Sequence, residues 1–104
     1  MINPIMLFMK EITRQKLDKY FDVTGRALKK VKIADNKGIK DCRKHAEDFL
    51  DMAKRYYSDA RHFMEKGDYV NAFACLNYSH GWLDAGARIK LFDVGGDSEL
   101  FTVD

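Results

Sequence analysis

Residues 67 and 68 read Gly-Asp and fall between two long stretches of helical periodicity. Glycine tolerates the left-handed backbone that closes a helix, and aspartate caps the start of the next one. A connection this short makes the two helices antiparallel neighbours. Upstream, Cys42, Ala46, Phe49, Ala53, Tyr56, Ala60 and Phe63 recur at alternating steps of four and three. That heptad spacing predicts a helix packed nearly parallel to its partner, with small and aromatic side chains interdigitating. Its start is expected between Ile39 and Asp41, after the turn Asp35-Asn36-Lys37-Gly38.

Downstream, the pattern predicts a helix from Tyr69 to Phe92, stopped by Asp93-Val94-Gly95-Gly96. Its polar stripe is narrow, namely Asn77, His80, Asp84 and Arg88, with Asp84 and Arg88 spaced for an i,i+4 ion pair. A helix so apolar around its circumference is expected to be buried on more than one side. Ser79, Gly81, Ala85 and Gly86 leave little side chain on it. They suit either close helix packing around Trp82 or a ligand slot.

Upstream of the hairpin, Asn3-Pro4 has the form of a helix start. Ile5, Phe8, Met9 and Ile12, then Leu17, Phe21, Thr24, Leu28 and Val31, predict one long helix over about 4–34. The five-residue step from Ile12 to Leu17 breaks phase and places a kink or fray near Thr13. The fold class is therefore all-α: an antiparallel three-helix bundle with a long N-terminal helix and a helix 2–helix 3 hairpin. At 104 residues it forms a single domain, and no fixed-period repeat covers it. The apolar tail Leu100-Phe101-Thr102-Val103 is expected to pack back on the bundle or on a neighbouring chain.

Charge is divided unevenly along the chain. Residues 1–45 carry twelve Lys and Arg against five Asp and Glu, and residues 46–104 carry six against eleven. Lys29, Lys30, Lys37, Lys40, Arg43 and Lys44, with Arg26 and Lys32, concentrate in segment 26–44. Such a segment makes RNA or DNA a candidate partner; the plainer reading is a solvated surface. No stretch is long and uncharged enough to span a bilayer, and the N-terminal apolar run lacks a basic leader. A soluble, cytoplasmic protein is expected, with Cys42 and Cys75 as reduced, half-buried thiols outside any CxxC spacing.

Reactive constellations are sparse. Cys42 with His45, and Asp59 with His62, are each one helical turn apart, but the long inner stripes contain no carboxylate, so neither a metal nor a cofactor is expected. Arg55 and His62 share a spacing with helical toxin ribonucleases, which raises RNA cleavage as a third possibility. No nucleophile elbow, phosphate loop or dinucleotide fingerprint is present. Tyr56, Tyr57, Tyr69, Tyr78 and Trp82 gather around the hairpin, and Asp59 and Asp84 are candidates to accept their hydrogen bonds. A groove between helices 2 and 3 built from Tyr56, Asp59, Tyr78, Trp82 and Asp84 is the candidate binding site.

Tyr57, Asp59-Ala60, Phe63, Gly67-Asp68, Ala72, Tyr78, Gly81-Trp82-Leu83-Asp84-Ala85 and Leu91-Phe92-Asp93-Val94, with Leu100-Phe101 in the tail, carry a resemblance. On these residues the chain resembles the archaeal domain-of-unknown-function family 357. The resemblance implies a compact helical bundle with no assigned activity and supplies no catalytic residues. The resulting expectation is a non-catalytic protein-interaction or adaptor module, associating as a homodimer or with a protein partner through helix 3 or the apolar termini.

Overall fold

A computed structural model describes residues 10–103. In chain order it contains α1 (Arg14–Lys30), β1 (Lys32–Ile33), α2 (Cys42–Glu65), α3 (Tyr69–Arg88) and β2 (Phe92–Asp93). The architecture is the expected antiparallel three-helix bundle, with α1 and α3 both running opposite to α2.

The phase break at Thr13 proves to be a helix start. Thr13 is extended, and its hydroxyl accepts from the Lys16 N–H at 3.1 Å. Residues 10–13 are not helical, so the first helix is shorter than expected. The Asn3-Pro4 start lies outside the described residues. At the other end α1 stops at Lys30, not near residue 34, because Val31 turns extended and Lys32–Ile33 pair antiparallel with Asp93 and Phe92. Ala34 N–H continues this ribbon to the Leu91 carbonyl at 2.9 Å. Two-residue strands leave no alternation for a sequence pattern to reveal.

The Gly67-Asp68 turn is as expected. Gly67 has φ +77, Gly67 N–H donates to Met64 O, and Asp68 N–H donates to Phe63 O at 2.9 Å. These two bonds are those of a Schellman closure. Asp68 then caps α3 by accepting from Asn71 N–H at 3.1 Å.

The third helix ends at Arg88, four residues short of expectation. A second Schellman closure stops it: Leu91 N–H donates to Gly86 O and Lys90 N–H to Ala87 O, with Lys90 in the left-handed region at φ +66. The early stop lets the adjacent Leu91 and Phe92 both bury, which successive residues of a continued helix would not do on one face. Phe92 folds back over Gly86, where a Cβ would collide with its ring.

α3 is the central element. It packs along α2 throughout and along α1 on its other flank, whereas α1 and α2 touch sparingly. The heptad stripe of α2 is inward as expected: Cys42, Ala46, Ala53 and Ala60 are buried, and Phe49, Tyr56 and Phe63 are half-buried between them. One core cluster joins Leu17, Ala60, Ala72 and Leu76. The other joins Ala27, Ala46, Ala53, Leu83 and Ala87 to the ribbon and the tail. Leu100 and Phe101 are buried in that second cluster, so the apolar tail does pack back on the bundle.

Candidate functional site

The polar stripe of α3 fastens the C-terminal tail through His80, Asp84 and Arg88, while its Asn77 and Arg88 edge is exposed. His80 Nε2 lies 2.7 Å from the Leu100 carbonyl, which can only accept, so this nitrogen carries the proton. In the neutral ring, His80 Nδ1 then accepts from the buried Thr24 hydroxyl at 3.1 Å, tying α1 to α3. Asp84 accepts from Thr102 N–H at 2.9 Å and from its hydroxyl at 3.3 Å. Arg88 donates to the Thr102 carbonyl at 3.5 Å. The expected Asp84–Arg88 pairing is thus replaced by two side chains converging on one tail residue. Asp97 starts this segment: its carboxylate accepts from the N–H groups of Glu99 and Leu100 and pairs with Lys30 at 3.0 Å. The Leu100 N–H, then Lys30, holds the Asp97 carboxyl below the usual carboxylate range, with Glu99 adding and desolvation opposing.

The wet side of α3 starts at the Asn77 and Arg88 edge of that stripe and continues over small and apolar residues. Val70, Asn71, Ala74, Asn77, Tyr78, Gly81, Ala85, Arg88 and Ile89 are exposed. At about 100° per residue these positions fall on one arc, roughly a third of the circumference. Val70, Tyr78 and Ile89 are 67%, 53% and 52% exposed, and they are the exposed large hydrophobics of the described chain. Periodicity marked Asn77, His80, Asp84 and Arg88 as the polar stripe but not that His80 and Asp84 would turn to the tail and leave the small residues beside Asn77 and Arg88 to water.

Of the candidate binding residues, Tyr56, Tyr78 and Trp82 come together at the edge of this arc. Tyr56 meets Tyr78 edge-on at 4.4 Å between ring centroids, and Trp82 meets Phe49 at 5.0 Å and Tyr78 at 6.3 Å. Asp84 is not with them, since it faces the tail. Asp59 is exposed on α2, where its charge acts on Cys75. The expected Tyr and Trp bonds to these carboxylates are replaced as well. Tyr57 O–H donates to the Phe21 carbonyl at 3.4 Å, and the Trp82 indole N–H is buried without a partner. Between α2 and α3 the rings of Phe49, Tyr56, Tyr78 and Trp82 pack on one another. Surface cavities of about 830, 420 and 340 Å³ are lined by the β-ribbon with Gly95 and Gly96, by α1 with α3, and by α1 with α2. Polar contacts that sequence reasoning missed include Ser79, whose hydroxyl donates to the Ala53 carbonyl at 2.6 Å. The sequence offers only a lone serine in a mostly small and apolar helical run, and its burial is seen only in the fold.

The basic segment sits at one end of the bundle, spread over the end of α1, the following loop and the start of α2. Lys30 pairs with Asp97, Lys37 with Asp35 at 3.1 Å, and Arg43 with Glu47 at 3.5 Å. Lys29, Lys32, Lys40 and Lys44 are exposed, and among the described residues no carboxylate lies within ion-pairing distance of them. The ribonuclease-like pair is exposed on the outer face of α2. Arg55 Nε is held by Asp51 at 2.9 Å, and neither Arg55 nor His62 lines any of the three cavities.

Both cysteines are free and lie in different core clusters. Cys42 donates to the Ala34 carbonyl at 3.4 Å. Burial pushes the Cys75 thiol up, and the charges of Asp59 and Asp68 add to it. Among the described residues no three His, Cys, Asp or Glu side chains gather as metal ligands, and no helix is long and apolar enough to cross a membrane.

No curated protein and no solved structure matches the chain. One family model, described as a protein of unknown function (DUF357), matches residues 19–92, a span from the first turns of α1 to the first residue of β2. The match takes in the hairpin, the Gly-Trp-Leu-Asp-Ala run and most of both core clusters, and on it the chain belongs to the DUF357 family.

Proposed function

We propose that the chain is a non-catalytic protein-interaction module working through the open arc of α3, with Tyr56, Tyr78 and Trp82 at its edge. One observation supports the reading above the rest: among the described residues, the exposed large hydrophobics Val70, Tyr78 and Ile89 lie on that single arc, and its one charged residue is Arg88. Scattered apolar residues on a surface are ordinary, but a contiguous row is the mark of a surface that meets another protein. A photoreactive p-benzoylphenylalanine in place of Tyr78 tests it in the native cell. Protein adducts are expected from position 78 and not from the same probe at Arg55. No adduct at position 78 would remove the reading.

A second reading, nucleic-acid binding, has its own support in the exposed Lys29, Lys32, Lys40 and Lys44 at one end of the bundle, which no carboxylate among the described residues pairs. It predicts RNA affinity that falls steeply with added salt and falls further when Lys29, Lys40 and Lys44 become Glu. Fluorescence anisotropy with a labelled RNA at low salt measures this, and absence of binding there discards it.

A further inference from the structure

Glycine inside a helix is unfavourable relative to alanine, so each helical glycine calls for a reason. Gly25 has one: a Cβ there would sit 2.9 Å from the Tyr57 hydroxyl. Gly86 has one in the ring of Phe92. Gly81 has none within its own chain, because a Cβ would meet nothing within 4 Å, and it lies on the exposed arc of α3.

That arc has a second property. Its apolar members are Val70, Ala74, Tyr78, Gly81, Ala85 and Ile89, and their spacing reads the same in either direction, with sizes matched at the outer pairs and complementary at the central one. The two end members are β-branched, the next two are alanines, and the central pair sets one large ring beside one missing side chain. A face that is symmetric on reversal complements itself across a two-fold axis, the isologous geometry of a symmetric dimer.

We propose that the partner is a second copy of this chain, docked antiparallel along α3. Val70 lies against the partner's Ile89, Ala74 against the partner's Ala85, and Tyr78 fills the space over the partner's Gly81. The proposal rests on the reading of this arc as a protein-interaction surface and names its occupant. Charge agrees with the antiparallel sense. Asp68 caps one end of α3 and Arg88 closes the other, so reversal brings each Arg88 toward the Asp68 carboxylate of its neighbour, while Arg88 keeps its contact to the Thr102 carbonyl. Size sets the strength. A twenty-residue helix face is about 30 Å long and about 10 Å wide, well under the roughly 800 Å² per partner of a standard interface. A contact of this size makes a weak, transient dimer, with Tyr56 beside Tyr78 extending it.

Engineered thiols read the register directly in a Cys75→Ser background. Ala74→Cys and Ala85→Cys chains, mixed and mildly oxidised, are expected to form a disulfide-linked dimer, while either chain alone stays monomeric on a non-reducing gel. Equal cross-linking by Ala74→Cys alone overturns this register. Sedimentation of the unaltered chain should show a dimer at high micromolar concentration. Gly81→Leu should weaken that dimer at least tenfold without lowering the melting point of the dilute chain. A monomer at high micromolar concentration overturns the proposal. If adducts to a different protein still form at position 78, the interaction reading survives without it.

Discussion

Gly86 and Lys90 show how single residues decide where α3 ends. Gly86 leaves the space that the Phe92 ring occupies, so Gly86→Ala trades a helix-propensity gain of about 1 kcal/mol against an overpacking cost of about 1–3 kcal/mol. A net loss is expected in thermal denaturation. Lys90 holds a left-handed backbone at φ +66 in the position where glycine usually closes a helix. Lys90→Gly removes a steric cost of about 1–2 kcal/mol, partly offset by a more flexible unfolded chain. A melting point higher by a few degrees should result. The run Ile89-Lys90-Leu91 carries no breaker, which is why the sequence pattern carried the helix on to Phe92. At Cys75 burial raises the thiol pKa, so less thiolate is present at a given pH. Iodoacetamide should label Cys75 more slowly than a free cysteine at pH 8, with the pH–rate curve displaced upward.

At the scale of elements, the C-terminal tail behaves as a clasp across α1 and α3. Its apolar half is Leu100 and Phe101, buried at 9% and 2% exposure, and its polar half is the set of bonds to His80, Asp84, Arg88 and Lys30. Phe101→Ala should cost about 3–5 kcal/mol, the range for deleting a buried aromatic ring, read by chemical denaturation. Asp97 makes the clasp sensitive to acid. Its folded pKa lies below the ordinary carboxylate value of about 3.9, so folding favours the ionised form. That contribution is complete above the ordinary value and drains away as pH falls through the lower folded one. Amide exchange at Leu100 and Phe101 should therefore accelerate on acidification in that window, and Asp97→Asn should remove this pH-dependent step. A sequence reading that places the tail on the bundle cannot name its fasteners, because His80 and Thr24 lie 56 residues apart and only packing makes them neighbours.

For the whole molecule, the decisive arrangement is a central α3 flanked by α2 and α1, with the tail and the two-strand ribbon completing the cover. Two thirds of the circumference of α3 is used up inside one chain, and the remaining third is exposed and mostly apolar or small. This geometry turns an apolar surplus, visible in the amino-acid order, into a surface with a direction. If the cover is as described, the amides of Ala72, Leu76, Ser79 and Leu83, on the inner arc, should be the slowest to exchange in α3. Comparable rates on both arcs in a dilute sample would contradict that burial.

Amino-acid order alone determined the elements whose signals are local. The Gly67-Asp68 turn, the inward stripe of α2 and the antiparallel hairpin depend on contacts a few residues apart, where backbone preference and periodicity act directly. The phase break near Thr13 was legible for the same reason, although it marks a start and not a kink. Tertiary structure alone decided the rest. The ribbon of Lys32–Ile33 with Phe92–Asp93, the use of His80, Asp84 and Arg88 to hold the tail, and the choice of which side of α3 faces water are settled by groups distant along the chain. Each is a competition between two burial schemes that a single helix satisfies equally well until its neighbours are in place.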